Sequence, residues 1–206
     1  MSLTNVRAAD GSGDHPTLHR VEEAALSSFA AHGYHAASMR KIAALAEVHP
    51  ASLYHWFPSK QDLLVTLMSR FMDGLIVEVD QAIAKESDPV RGLAGAIRAH
   101  VIYHGTNSRS AFVADTEVRA LEGEARQAVM AQRDAYQDRF IALIRAGVDQ
   151  GTLHCRDVRV AAFAILLQCT GVAAWYRPDG ALSLDEVADI HVELVFSGLG
   201  APAPRA

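Results

Sequence analysis

The functional groups in this chain that most suggest a task lie between Ser38 and Lys60, in SMRKIAALAEVHPASLYHWFPSK. Their chemistry is hydrogen bonding and charge rather than bond making. His49 can donate or accept, Ser52 can pair with several base edges, and Pro50 and Ala51 suit the methyl of thymine. Ser38, Arg40 and Lys60 flank them with the hydroxyl, guanidinium and ammonium groups that hold phosphate, contacts that fix register rather than read sequence. Catalytic groupings are absent from the pattern: no Ser-His-Asp order, glycine-rich phosphate loop or paired-carboxylate spacing stands out, so an enzyme is not expected. Histidines recur at i, i+4 in His15/His19 and His100/His104, which puts two imidazoles on one helix face. Two ligands without an acidic or thiol partner do not make a metal site, and no metal or cofactor is expected. His100, Tyr103 and His104 are expected to line an interior.

The elements that must position these groups are short helices. Ser38 has the side chain of an N-cap. Met39, Ile42, Ala43 and Ala46 follow at helical spacing, leaving Arg40 and Lys41 in water. Glu47-Val48-His49 makes a turn, and Pro50 sits where a first helical turn tolerates proline. Leu53, Trp56 and Phe57 give the second short helix an inward face. Two such helices joined by a tight turn form a helix-turn-helix, whose second helix can present its N-terminal end to the DNA major groove.

Residue by residue, Ser38, Ile42-Ala43, Val48, Leu53-Tyr54-His55-Trp56-Phe57 and Ser59-Lys60 resemble the DNA-binding signature of the TetR family of transcriptional regulators. EEAALSSFAAHGY, before them, resembles that family's first helix and following turn. The resemblance implies that Tyr54 and His55 contact phosphates. It departs at Glu47, where the family often has glycine and where a positive φ would tax glutamate. Past Leu67 the likeness is looser. FVADTEVRAL, RDAYQDRF, GVDQGTL and AAWYRPDGALSLDEVADI are similar to the C-terminal part of TetR-type regulators of lipid or steroid breakdown that answer to acyl-CoA thioesters.

The rest of the chain predicts helices throughout, about nine in all, with no alternating strand pattern. A mobile arm is expected over 1–13, a helix-turn-helix domain over 14–60, a helical effector-binding and dimerisation domain over 61–200 and a disordered tail over 201–206. Asp14 or His15 is the expected cap of the first helix, and Gly33 its end. A long fourth helix from Lys60 joins the head to the body. The eighth, Val158 to Tyr176, is apolar nearly all round and must be enclosed on every side. With the ninth, which carries Val187, Ile190, Leu194 and Val195, it is expected to build a two-fold dimer, in keeping with the resemblance. An apolar pocket is expected among helices four to eight, with Tyr103, His104, Phe112, Tyr136 and Trp175 along it and Arg119, Arg126 or Arg177 meeting acidic groups of a ligand.

Charge and composition are compatible with this reading. The chain has 206 residues, half of them apolar, and a net charge of −5. Residues 1–60 hold five cationic and five acidic side chains, so the deficit falls wholly on the body. Phosphate affinity follows the local field rather than the sum, and six histidines in the head can add to it. Binding to double-stranded DNA is therefore expected to be modest per protomer and strongly salt-dependent. No apolar run is expected to reach the roughly 20 residues of a membrane span. Cys155 and Cys169 suggest neither zinc nor a disulfide framework, and a cytoplasmic location follows. The expected function is a dimeric repressor on a pseudo-palindromic operator, released by a small apolar effector, with a fatty acyl-CoA or related thioester as leading class. The alternatives are an efflux regulator responding to drugs or aromatic compounds, and a helical ligand- or metal-binding protein that does not touch DNA.

Overall fold

The computed structural model describes residues 16–204. The arm over 1–13 and the first-helix cap at Asp14 or His15 lie outside the described residues, as does the His15 half of the His15/His19 pair. Within them the fold is all-α, with no strand. The order is α1 Pro16–Ala36, α2 Met39–Leu45, α3 Pro50–Trp56, α4 Lys60–Ala84, α5 Pro89–Thr106, α6 Ser108–Thr116, a 3-10 turn Glu117–Ala120, α7 Gly123–Asp149, α8 Val158–Thr170, α9 Val172–Trp175 and α10 Leu184–Gly198. The nine expected helices are present, with the eighth divided at Gly171 and the sixth tightened into a 3-10 turn at its end.

Local chemistry sets most boundaries. The Ser38 hydroxyl accepts from Lys41 N, Asp88 from Val90 N, and Asp157 from both Arg159 N and Val160 N. Ser183 and Glu186 form a reciprocal capping box at α10. At α4 the box is half made: Ser59 Oγ accepts from Asp62 N but donates to the Asp62 carboxylate. Gly33 ends the straight part of α1 with φ 75° and ψ 161°, a conformation open essentially to glycine.

The three-helix head closes over Val21, Ala25, Phe29, Ile42, Ala43 and Leu53, all fully buried. In the body α5 is central, packed on α4, α7, α8 and α10. Gly74 on α4 lets Tyr103 lie flat against it, since a Cβ there would fall 2.1 Å from the phenol oxygen. Near its far end α4 is tied to α7 by a forked pair, Arg139 Nε and Nη2 donating to the Asp80 carboxylate at 2.6 and 2.9 Å.

Two expectations change. Residues 201–204 do not trail away: Ala201 N donates to Phe196 O at 3.0 Å, and Ala201 and Ala203 pack on the core. The window Val158–Trp175 does have the length and hydropathy of a membrane span, with mean hydropathy 1.6, because Arg159 is its single charge. Only 22% of that window is buried within the protomer. Phe163 (53% exposed), Leu167 (77%) and Trp175 (52%) stand open along it. The apolar surround expected for this helix is not supplied by the described residues of its own chain.

Candidate nucleic-acid interface and effector cavity

The reading edge is built by the phase of α3. Leu53 is buried and Trp56 half-buried, which turns Ala51, Ser52, Tyr54 and His55 outward together. Tyr54 is 51% exposed, an unusual state for a tyrosine beside a packed helix pair. His49 caps α3, its Nδ1 accepting from Ala51 N at 3.2 Å. That acceptor role leaves the proton on Nε2, so the exposed edge of His49 is a donor, matched to base acceptors or phosphate. Pro50 is half-buried, and Arg40 is exposed on α2. The turn before α3 bends through Glu47 at φ 55°, the one non-glycine residue with positive φ among those described. The departure noticed in the sequence is thus a real backbone cost.

Lys60 has a different post from the one expected. Its ammonium donates to Tyr34 O at 2.6 Å, Ala37 O at 2.8 Å and His35 O at 3.4 Å, and lies 4.3 Å from the centre of the Tyr34 ring. Partial burial lowers its pKa. Two short hydrogen bonds and one long one meet three carbonyls, so this lysine ties the end of α1 to the start of α4. The reason is Gly33, whose turn swings those carbonyls out of the helix and toward Lys60.

The body holds an open pocket of about 360 Å³ lined by Phe71, Met72 and Leu75 of α4, by α5 and α7, by Asp115 of α6 and by α8, whose exposed Phe163 and Leu167 form part of its rim. Its polar wall is a connected set. His100 Nδ1 lies 2.7 Å from the Tyr136 hydroxyl and His100 Nε2 lies 3.1 Å from Thr170 Oγ1. His104 stacks on His100 with ring centres 4.0 Å apart and donates from Nδ1 to His100 O. Burial holds both imidazoles below their ordinary range, His100 far below, with His104 and His191 adding to it. For His104 the charges of Asp115 and Arg133 pull in opposite directions. Burial raises the Tyr136 phenol well above its usual range and the Cys169 thiol to about 12. At ordinary pH this wall is therefore neutral. Arg133 adds the charge: its Nη2 donates to Ala114 O and the Asp115 carboxylate, both at 2.8 Å, while its buried Nε has no partner.

Of the expected pocket residues, the structure brings His104 and Tyr136 together on this cavity. Tyr103 faces a separate groove of about 540 Å³ between α4 and α5. One residue along a helix is a turn of about 100°, so Tyr103 and His104, though both pack on Phe71, line different openings. Phe112 is on the surface, because the buried stripe of α6 is Ala111, Val113 and Ala114, and Arg119 is exposed on the 3-10 turn. Trp175 is also exposed, stacked on His191. Arg126 and Arg177 spend hydrogen bonds on Val118 O and Tyr176 O. Sequence reasoning did not assign Arg133, Gln137, Asp115 or Thr170. The spacing of Arg133, Tyr136, Gln137 and Phe140 on α7 carried that signal.

Comparison with known proteins agrees with both halves. Residues 23–67 match the family model of bacterial regulatory proteins of the tetR family, and 86–199 match the tetracyclin repressor-like C-terminal domain. The transcriptional repressor KstR2 of Rhodococcus jostii is 27% identical over 97% of this chain and 99% of its own. The fatty acid metabolism regulator protein of Bacillus subtilis is 26% identical over 89% and 96%. AibR, solved with isovaleryl coenzyme A and operator DNA, superposes with a TM-score of 0.80 at 27% identity, over 90% of this chain and 99% of that one. A matched C-terminal model spanning over half the sequence, behind a matched helix-turn-helix head, identifies the protein as a member of the TetR family of DNA-binding transcriptional regulators.

Proposed function

We propose that the protein is a dimeric repressor that holds a pseudo-palindromic operator and lets go when an apolar effector, a fatty acyl-CoA or related thioester, enters the body. The observation that carries the DNA half is the outward cluster of Ala51, Ser52, Tyr54 and His55 on a helix whose other side is core. Arg40 and the donor edge of His49 border that cluster. A two-fold pair would set two such edges about one turn of duplex apart, roughly 34 Å. The open apolar side of α8, with Ile190 and Leu194 of α10, supplies the surface for that pairing.

For the effector, the cavity favours an anionic or neutral ligand. Asp115 is already paired with Arg133, so no lone carboxylate waits for a cationic drug. About 360 Å³ accommodates an acyl chain, while the nucleotide of a coenzyme would lie outside. Two relatives support the class: AibR is solved with isovaleryl coenzyme A, and the Bacillus subtilis relative is named for fatty acid metabolism. Release follows if the ligand binds better to the conformation with the poorer head spacing. The test is a gel shift on the gene's own upstream region at several salt concentrations, with and without acyl-CoAs of graded length. Retention of the complex at every acyl-CoA concentration, with thermal stabilisation by cationic aromatics instead, would move the assignment to a drug-responsive efflux regulator. No DNA retention even at low salt would overturn the repressor reading.

A further inference from the structure

We infer that the 3-10 turn Glu117–Ala120 is the joint that tells the head what the cavity holds, with Glu117 the residue that positions the head and Arg133 the residue that senses the ligand. The inference rests on the effector reading above and adds its route.

The geometry starts at Gly33. Its non-helical backbone takes the next amide out of the helical ladder, and Tyr34 N donates instead to the Glu117 carboxylate at 3.2 Å, across 83 residues of sequence. The same Tyr34 offers its carbonyl and ring to Lys60. One residue of the head is therefore gripped from the body on its amide side and from α4 on its carbonyl side. The turn that carries Glu117 is held in its place from α7. Arg126 donates to Val118 O at 3.2 Å, and Arg133 donates to Ala114 O and Asp115 at the last turn of α6, immediately before Glu117.

Arg133 also forms part of the cavity wall and keeps a buried Nε–H without a partner. A carboxylate or thioester oxygen entering the cavity is met by the unpartnered Nε–H, and turning the guanidinium to bring Nε onto it draws Nη2 off Ala114 O and Asp115. Drawing Arg133 away frees the last turn of α6 and so shifts Glu117. Tyr34 then loses its amide partner, and the end of α1 keeps only its Lys60 tie, while the Arg70–Glu22 and Arg109–Glu23 pairs hold the middle of the helix. Ligand occupancy is thus converted to head position through two hydrogen-bonded contacts, without any requirement that the ligand touch the head.

Two readouts separate this from the repressor reading. Amide hydrogen exchange at Tyr34–Ala37 needs no ligand. Glu117→Ala should speed exchange there by about tenfold, Glu117→Gln, which keeps an acceptor, should stay near wild type, and Arg133→Gln should speed it although it lies in the body. The second readout is operator release by decanoyl-CoA. Wild-type release should shrink toward none in Glu117→Ala while decanoyl-CoA still stabilises the variant thermally. Unchanged Tyr34 exchange in both Glu117→Ala and Arg133→Gln, or full release in Glu117→Ala, would overturn the joint. Failure of wild type to respond to decanoyl-CoA would count against the effector class alone, leaving the exchange result to judge the joint.

Discussion

Replacing Lys60 with methionine separates two roles that its position leaves confounded. The ammonium makes two short hydrogen bonds, at 2.6 and 2.8 Å, and a third at 3.4 Å that is too long to count fully. Taking charged hydrogen bonds at the low end of about 1.5 kcal/mol each for a partly solvated site gives about 3 kcal/mol. The Tyr34 ring at 4.3 Å adds about 0.5–1 kcal/mol. Against this stands the rotamer entropy of holding a lysine, about 2 kcal/mol. The net expected loss is about 2 kcal/mol, or roughly 4–8 °C in Tm for a chain of this size. Calorimetry reads that number directly. The salt dependence of operator binding reads the other role, since each phosphate contact contributes about 0.9 to the slope of log K against log salt. Lys60→Met should leave that slope unchanged even as affinity falls through a loosened head. An unchanged Tm with a slope smaller by about 2 per dimer would show that Lys60 serves phosphate and that the reasoning here is wrong.

Other outcomes follow from single features. Glu47→Gly should relieve about 1–2 kcal/mol of left-handed strain, lose about 0.5–1 kcal/mol to glycine's chain entropy and forfeit little at the exposed Arg20 pair. Differential scanning should show a Tm higher by a degree or two, and a lower one would refute the strain argument. Burial lowers the pKa of His100, so the unfolded chain takes up its proton first as pH drops below the ordinary 6.5. Stability is then lost with falling pH, by at most about 1.4 kcal/mol per unit for one histidine. His100→Gln should flatten the decline in Tm between pH 7 and 5.5, and a parallel decline would exclude His100 as its source. Leu167→Glu, on the open side of α8, should convert the proposed dimer to monomer in sedimentation while leaving helicity intact. A dimer unaffected by that change would move the pairing surface elsewhere.

The head was legible in sequence because its signals are local. Ser38, Pro50 and Ser59 cap or open helices within three residues of themselves, and the apolar phase of α2 and α3 fixes which side faces water. Glu47 was readable for the same reason. Long-range partners were not. Nothing in the spacing of Lys60 says that Gly33 will aim three carbonyls at it, and Glu117 reads as an ordinary surface acid until α6 is laid beside α1. The cavity was half legible: the His100/His104 stripe was visible, but assigning Tyr103 to the same wall ignored the turn of α5 between adjacent residues. Phe112 and Trp175 were chosen by bulk, and bulk alone does not distinguish a cavity from a partner surface.

The Asp80–Arg139 pair gives α4 a fulcrum. At 1.5 Å of rise per residue, Lys60 lies about 30 Å from Asp80 along the axis, whereas Leu75 on the cavity wall lies only about 7.5 Å away. Pivoting there magnifies travel roughly fourfold, so half an ångström of displacement by an acyl chain at Leu75 moves the root of the head by about 2 Å. On the reading proposed above, an acyl chain alone, with its nucleotide left outside, is therefore enough to spoil the match to duplex pitch, provided the pin at Asp80 holds.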